Sequence, residues 1–234
     1  MPQTRTILIT GAASGLGLEL ASRYLEKGFI VFGCLRSESS KTKLLKKRWG
    51  PKFHLIKIDL RRSYEISSLG RKIANHAGKI DILINNAGVM NRNEKISTLD
   101  WKKIHESMTV NSIAPLFVVK SLLKQIKSAD NPKIINISSL SGAIGRVSGF
   151  SSLYGYKAGK AAMNMMTRIL AQELKGDRIP VVAVHPGTIK TKMGPENAQS
   201  SAEEVSAVIV KLIDGINIGH TGKFLNFDGA ELPW

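Results

Sequence analysis

Seven short apolar segments, separated by amphipathic stretches, constrain the fold of this chain more than any other feature of its sequence. The segments span residues 6–10, 29–35, 53–58, 80–84, 133–137, 179–185 and 222–227. They are almost continuously hydrophobic, whereas strands with one face in water alternate apolar and polar residues. We therefore predict an α/β fold, a doubly wound domain in which a seven-stranded, mainly parallel sheet lies between two helical layers.

Helices are predicted between these strands. Residues 16–26 end before Gly28 and residues 156–175 end before Gly176, and glycine commonly terminates a helix. Residues 98–127 form a long periodic stretch, and Ser201 with Glu204 forms a capping box at the start of a last helix. No repeat, linker or low-complexity tract divides the chain, so we expect residues 1–234 to form one domain.

The charge of the chain is strongly basic. Lysine and arginine number 34 against 18 acidic residues, which gives a formal net charge of +16, and the excess is densest over residues 36–72. Such an excess favours phosphate-rich partners or an anionic membrane surface. No nucleic-acid-binding motif accompanies it, so the simpler interpretation is a solvated basic face and no specific nucleic-acid partner.

Cysteine content and hydropathy exclude several classes of protein. The single cysteine, Cys34, cannot form an internal disulfide, and without a His/Cys cluster beside it we expect no metal site. The first twenty residues lack the apolar core of a signal peptide, and no run has transmembrane length. These observations lead us to expect a cytoplasmic protein without a membrane span.

A glycine-rich turn, TGAASGLG over residues 10–17, lies between the first strand and the first helix. In this context glycines permit a tight turn, close approach of the backbone to a pyrophosphate and close packing of the helix on the strand, roles we assign to Gly11, Gly15 and Gly17. The alternative is a tight turn without a ligand. A Rossmann-type dinucleotide site would be lined here by Gly11, Ser14, Gly15, Leu16 and Gly17.

Arg36 follows the second predicted strand, where enzymes that prefer NAD carry an acidic residue. An arginine there can pair with the 2′-phosphate of NADP(H). We therefore expect NADP(H) as the cofactor, with NAD(H) the less favoured choice. The alternative is that Arg36 is one more member of the basic surface.

Tyr156 and Lys160 are four residues apart at the start of a predicted helix, which places both side chains on one face. A free tyrosine titrates near pH 10, and an adjacent ammonium group favours the phenolate and lowers that pKa. Tyr156 would then act as an acid or base. Tyr154 lacks this arrangement, because Ala158 is four residues further on.

Several further motifs accompany this pair. Asn85-Asn86-Ala87-Gly88 follows the fourth strand, Asn111 lies in the long helical stretch, and Asn136-Ile137-Ser138-Ser139 ends the fifth strand. With them the chain resembles the short-chain dehydrogenase/reductase family over nearly its whole length. Residues 154–162 and the tail at residues 228–234 are similar to the branch of small carbonyl reductases that includes the C-factor and Sniffer proteins.

The resemblance implies a role for each matching residue. Ser139 holds the substrate oxygen, Tyr156 donates the proton, Lys160 also binds the nicotinamide ribose, and Asn111 orders a water that links Lys160 to solvent. The remaining implied cofactor contacts are Asp59, Leu60, Asn86, Ala87, Gly88, Pro186, Gly187 and Thr191. The interval between Ser139 and Tyr156 exceeds the usual one, and we expect the extra residues, 147–152, to shape the rim of the substrate site.

Other residues have plainer interpretations. Asn85 either belongs to the cofactor site or joins neighbouring strands, Ser138 is structural, and both His185 and Cys34 are packed side chains. In relatives the stretches 98–127 and 156–175 pack against a partner subunit, so we expect a homodimer or homotetramer. The apolar residues that support this expectation are Leu116, Val119, Leu123, Met163, Met166 and Leu170.

The sequence therefore favours an NADPH-preferring carbonyl reductase that transfers a hydride between NADP(H) and a small carbonyl or alcohol substrate. The runner-up is a non-catalytic NADP(H)-binding sensor or signalling protein on the same fold. A third hypothesis, binding of nucleic acid by the basic face, depends on charge alone.

Overall fold

The protein is described by a computed structural model over residues 4–92, 94–146, 152–195 and 197–234. The strands are β1 Thr6–Thr10, β2 Ile30–Leu35, β3 Phe53–Lys57, β4 Ile82–Asn85, β5 Lys133–Ile137, β6 Val181–His185, β7 Ile189–Lys190, β8 Ser200–Ser201 and β9 Phe224–Asn226. The helices are α1 Gly15–Glu26, α2 Ser40–Trp49, α3 Ser63–Ser67, α4 Leu69–Ala74, α5 Trp101–Met108, α6 Ala114–Lys127, α7 Tyr154–Glu173 and α8 Ala202–Gly215.

Seven of these strands form one sheet in the order β3-β2-β1-β4-β5-β6-β9, and every neighbouring pair is parallel. This confirms the predicted doubly wound sheet. The direction of strand addition reverses between β1 and β4, and ligands bind such folds outside the carboxyl ends of the strands at this point. Strands β7 and β8 pair separately and were not predicted.

The sheet is buried on both faces. Ile7 of β1 lies in a core cluster with residues of α1 and α8, whereas Leu8 lies in a second cluster with residues of α6 and α7. Both side chains are completely buried, and each contributes about 1.5–3 kcal/mol through the hydrophobic effect. This two-sided burial explains why the strands are continuously apolar in sequence.

The helix ends agree with the sequence in part. Ser201 and Glu204 form the predicted capping box, with Glu204 N donating to Ser201 Oγ at 3.1 Å. Gly28 is left-handed at φ +82° after α1, as a terminating glycine should be, but beyond α7 the left-handed residue is Arg178 rather than Gly176. Helices α2, α3 and α4 were not predicted individually. Among the described helices, none has the length and apolar character needed to cross a bilayer.

The predicted stretch 98–127 contains α5, a π-helical turn at Thr109–Ile113 and α6. Of the six apolar residues proposed above for a subunit interface, Val119, Met163 and Leu170 are buried within one copy, whereas Leu116, Leu123 and Met166 are half-buried. Val119 and Leu170 belong to the core cluster on this face of the sheet, and Leu116 and Leu123 pack against it. The exposed apolar side chains on this side of the molecule include Ile113, Phe117, Met165 and Ile169.

Candidate active site

The turn between β1 and α1 requires glycine at two positions for different reasons. Gly11 has φ +71°, and a Cβ there would lie 2.9 Å from Ala87 Cα. A Cβ on Gly17 would lie 2.4 Å from both the Gly11 carbonyl oxygen and Asn86 Nδ2. Gly11 and Asn86 directly follow β1 and β4, so these contacts agree with the close helix-to-strand packing predicted for Gly17.

The N-terminus of α1 opens on this turn without a side-chain cap. Ser14 is the N-cap residue and makes no capping hydrogen bond, and the first turn contains no acidic residue. Leu16 is buried beneath it. Uncapped N–H groups at a helix N-terminus attract anions, so this turn can hold a phosphate group.

Thr10 fastens the segment after β4 to the glycine turn. Its Oγ1 accepts hydrogen bonds from the backbone N–H groups of Asn86 and Ala87, both at 3.0 Å. Asn86 Nδ2 donates in return to the Thr10 carbonyl oxygen at 2.9 Å. Thr10 was not among the predicted site residues, although it ends the strand that precedes the turn.

Arg36 and Asp59 lie at the carboxyl ends of β2 and β3, on a cavity of about 410 Å³. Arg61 donates to Asp59 from Nε and Nη2, and these bonds hold the pKa of the carboxyl at about 2. Arg36 is exposed and forms no ion pair among the described residues. The cavity lining consists of Arg36, Ser37, Lys57, Ile58, Asp59, Arg61, Arg62 and Glu65.

The segment after β6 lies over the glycine turn. Gly15 has φ +55°, and its Cβ would lie 3.3 Å from Thr191 Cγ2, so the two segments are in contact. Thr191 Oγ1 accepts from Gly194 N at 3.0 Å and from Met193 N at 3.3 Å, which fixes the hydroxyl. Pro186 and Gly187 precede this segment, and Gly187 is left-handed at φ +75°.

Asn111 lies in the π-helical turn and faces the segment after β4. Its Oδ1 accepts from Val89 N at 2.9 Å and its Nδ2 donates to the Val89 carbonyl oxygen at 2.8 Å. A Cβ on Gly88 would lie 3.1 Å from Asn111 Oδ1 and 3.8 Å from Lys160 Nζ. The structure therefore brings Gly88, Asn111 and Lys160 together, as the predicted site requires.

Ser139, Tyr156 and Lys160 meet where β5 ends against α7. Ser139 lies beside the Tyr156 hydroxyl and lowers its pKa, and Ser139 Oγ accepts from Ser141 N at 3.1 Å. Lys160 is 3% exposed, and its Nζ donates to the Ile137 carbonyl oxygen at 2.7 Å. The ammonium lies 5.8 Å from the centre of the Tyr156 ring.

The ionisation of this group differs from the sequence expectation. Burial raises the pKa of Tyr156, and the hydrogen bond with Ser139 lowers it by less. Burial also lowers the pKa of Lys160 to about 8. The expectation that Lys160 lowers the pKa of Tyr156 is therefore corrected: among the protein's own groups, desolvation of the phenolate outweighs the other effects.

The sequence of the chain also matches a known protein family. The profile of the short chain dehydrogenase family matches residues 5–202. The chain belongs to the short-chain dehydrogenase family. This is a family of oxidoreductases, and the predicted family is confirmed.

Individual members support the same assignment. A short-chain dehydrogenase of Neurospora crassa is 32% identical, with 97% of each chain covered. The C-signal protein of Myxococcus xanthus is 30% identical over 67% of this chain and 94% of its own. The resemblance to the C-factor branch predicted from the sequence is thus supported by a named relative.

Solved structures agree with these relatives. Carbonyl reductase Sniffer of D. melanogaster superposes with a TM-score of 0.92 at 28% identity, covering 99% of this chain and all of its own. An NADPH-bound carbonyl reductase from chicken fatty liver gives a TM-score of 0.91 at 27% identity, with the same coverage. Both confirm the fold.

Beneath the site, a chain of buried amides joins β4, β5 and α7. Asn85 Nδ2 donates to Asn136 Oδ1 at 2.9 Å, and Asn136 Nδ2 donates to Thr167 Oγ1 at 2.9 Å. Ser138 Oγ donates to Asn164 Oδ1 at 2.5 Å. Asn85 therefore joins neighbouring strands, which is one of its two predicted interpretations. Ser138 is structural, as predicted. The parts of this network in Asn136, Asn164 and Thr167 were missed.

Two isolated residues are packed, as predicted. Cys34 is buried, and burial raises its pKa to about 12. His185 Nδ1 is buried without a hydrogen-bond partner among the described residues, and burial lowers the pKa of the ring to about 4. Of the predicted rim at 147–152, residues 147–151 lie outside the described part of the chain.

Proposed function

We propose that this protein transfers a hydride between NADP(H) and a small carbonyl or alcohol substrate, as an NADPH-preferring carbonyl reductase. The observation that carries the proposal is the meeting of Ser139, the Tyr156 hydroxyl and the buried Lys160, whose Nζ lies 5.8 Å from the centre of the Tyr156 ring. The pair lies at the carboxyl end of the sheet, where doubly wound folds bind their ligands. We further propose that residues 1–234 act as one domain.

The residues present fit a dinucleotide phosphate. The uncapped start of α1 and the glycine turn suit the pyrophosphate, and Arg36, free of ion pairs among the described residues, suits a 2′-phosphate. The other proposed contacts are Asp59, Leu60, Asn86, Ala87, Gly88, Tyr156, Lys160, Pro186, Gly187 and Thr191. The NADPH in the chicken carbonyl reductase structure supports this choice of cofactor.

The mechanism assigns one task to each side chain. When bound, the cofactor supplies or accepts the hydride at its nicotinamide C4. Ser139 Oγ and Tyr156 Oη hold the substrate oxygen, and Tyr156 Oη gives it a proton as negative charge develops there. Lys160 Nζ, with its pKa lowered to about 8, exchanges protons near neutral pH, and Asn111 supports the link to solvent.

The raised pKa of Tyr156 bears on the direction of the reaction. Burial keeps the Tyr156 phenol protonated at neutral pH, and the raised pKa also makes it a weaker acid. Reduction of a carbonyl consumes that proton, whereas oxidation of an alcohol needs the phenolate. Tyr156 therefore rests in the protonated form that carbonyl reduction uses.

The test is NADPH consumption with a panel of aldehydes and ketones, using Tyr156→Phe and the control Tyr154→Phe. Tyr154 is exposed and two residues away, so its substitution should leave turnover unchanged. Loss of a general acid costs about 10² to 10⁴ in rate, so Tyr156→Phe should lose at least that much kcat while NADPH binding is retained. Lys160→Ala should impair both turnover and binding.

The same panel separates the alternatives. A sensor would bind NADPH and reduce no carbonyl. A Tyr156→Phe variant that keeps more than about a tenth of kcat, with chemistry rate-limiting, refutes the assignment, because the lost group would be worth under about 1.4 kcal/mol. Salt-sensitive binding to unrelated duplexes, unaffected by NADPH, would instead support the nucleic-acid hypothesis.

A further inference from the structure

The segment that follows β4 is attached to three different parts of the site by three of its side chains. Asn91 Nδ2 donates to Ser107 Oγ of α5 at 3.2 Å. Arg92 Nη2 donates to the Met193 and Gly194 carbonyl oxygens at 2.9 and 3.0 Å, in the segment after β7. The third attachment is made by Glu94, and it involves the helix that carries Tyr156.

The N-cap residue of helix α7 does not cap it with its side chain. Its N-cap residue is Leu153, which is left-handed at φ 95° and provides no side-chain hydrogen bond. The first turn contains no acidic residue. Four N–H groups at the start of a helix lack partners within the helix, so an apolar N-cap leaves them to be satisfied by more distant groups.

Glu94 provides that group from 61 positions earlier in the chain. Its Oε2 accepts from Gly155 N at 3.1 Å in a buried hydrogen bond. A carboxylate at this end of a helix also interacts favourably with the helix dipole. Gly155 is fixed from the other side by α5, because a Cβ there would lie 2.8 Å from Ser107 Cβ.

The Glu94 side chain is unusually placed for a carboxylate. The residue is 6% exposed, and its Oε1 is buried with no hydrogen-bond partner among the described residues. A buried carboxylate with one unpaired oxygen is unfavourable for the fold by itself. Its single described hydrogen bond goes to the residue immediately before Tyr156, so any displacement of Glu94 acts directly on the turn that carries the phenol.

We propose that Glu94 is a positioning residue, whose carboxylate caps α7 from across the site and holds Tyr156 against Ser139. The inference rests on the proposed function, since it assigns Glu94 a part in the same proton transfer. Glu94 itself contacts neither Ser139 nor Lys160 in the described hydrogen bonds; it acts through the backbone of Gly155.

The experiment compares Glu94→Ala and Glu94→Gln with a control, Lys95→Ala, in the full-length chain. Lys95 is the exposed next residue in the same segment, so its removal should leave every readout unchanged. The measurements are NADPH affinity, single-turnover hydride transfer to the best carbonyl of the panel, and hydrogen exchange of the Gly155 amide. The exchange measurement needs no activity.

Glu94→Ala should expose the Gly155 amide to exchange and lower the hydride-transfer rate about 10- to 100-fold, the loss expected for one charged hydrogen bond. NADPH affinity should stay within about threefold, since the glycine turn lies elsewhere. Glu94→Gln keeps an acceptor oxygen for Gly155 and should restore most of the rate. Should the alanine variant fail to fold, Glu94→Asp, one methylene shorter, should show the same loss in smaller measure.

Three results would overturn the inference while leaving the proposed function intact. One is faster exchange at Gly155 with an unchanged rate, which would make the cap purely structural. Another is unchanged exchange at Gly155 in the alanine variant, which would show that the bond does not protect the amide. The third is a parallel loss of rate and NADPH affinity, the sign of general disruption. An unmodified protein that reduces no carbonyl would overturn the proposed function itself, and this role with it.

Discussion

Replacing Lys160 with methionine should abolish activity and yet stabilise the protein at neutral pH. Lys160 is 3% exposed, and burial alone lowers its pKa from 10.5 to about 8. No carboxylate offsets this effect of burial. The charged Lys160 ammonium therefore lowers the stability of the folded protein. Methionine has a similar length and no charge, so it fills the space without that cost.

The magnitude follows from the pKa. Below pH 8, Lys160 is charged in both the folded and the unfolded chain. There the lowered pKa corresponds to a loss of about 3 kcal/mol in the free energy of unfolding. Loss of the hydrogen bond to the Ile137 carbonyl oxygen returns about 1–2 kcal/mol of this. The net gain expected for Lys160→Met at pH 7 is therefore about 1–2 kcal/mol.

The sign reverses at high pH. Because the folded pKa lies below the unfolded one, the unfolded chain binds more protons between pH 8 and 10.5, and unmodified protein gains stability as pH rises through that window. Above it the penalty has vanished, and Lys160→Met has only lost a hydrogen bond. The variant should then be the less stable of the two by about 1 kcal/mol.

Urea unfolding at a series of pH values from 7 to 10.5 measures this directly. The control is Lys124→Met, because Lys124 is exposed on α6 and its substitution should leave the pH dependence unchanged. Parallel curves for Lys160→Met and the unmodified protein would refute the reasoning, since the buried ammonium would then carry no penalty. The reasoning would also be refuted if the stability of Lys160→Met, measured relative to the unmodified protein, were lower at pH 7 than at pH 10.5.

Two further predictions concern the cofactor and the assembly. NADPH should bind about 10- to 100-fold more tightly than NADH, and Arg36→Asp should narrow or reverse the difference; equal affinities measured by fluorescence titration would exclude a 2′-phosphate contact at Arg36. We also expect a homodimer or homotetramer that buries the exposed Ile113, Phe117, Met165 and Ile169. Phe117→Glu should then lower the mass measured by light scattering, and a monomeric unmodified protein at micromolar concentration would contradict this prediction.

The fold could be predicted from the sequence because burial of both faces of the sheet makes the strands continuously apolar. A strand such as β1, with Ile7 and Leu8 in opposite clusters, has to be apolar at every position, and that pattern is visible without coordinates. Three residues predicted to lie at an interface, Val119, Met163 and Leu170, are buried in the core for a related reason. Helical periodicity identifies an apolar stripe but does not show its width, so Val119 and Phe117 could not be divided between core and surface before the packing was known.

Site residues that stand in local sequence motifs could be predicted, whereas those that depend on long-range contacts could not. Ser139, Tyr156 and Lys160 stand in motifs whose spacing along the chain is itself the signal, so they could be named from sequence. Glu94 stands among Lys95 and other polar residues in a segment that reads as a solvated loop, and its bond to Gly155 joins positions 61 residues apart. No local pattern connects such a pair, because the contact exists only after the sheet has brought β4 and α7 together.

The ionisation of Tyr156 shows what spacing leaves undetermined. An interval of four residues establishes that an ammonium lies on the same helical face, and from that alone a lowered pKa follows. The direction depends instead on desolvation, which is set by what covers both groups: Tyr156 is 7% exposed and Lys160 is 3% exposed. Burial penalises phenolate and ammonium together, so it favours neutral tyrosine beside a lysine that readily gives up its proton. That combination leaves Tyr156 protonated at neutral pH, and it makes the burial of these two side chains, as much as the motif, a determinant of the chemistry we propose.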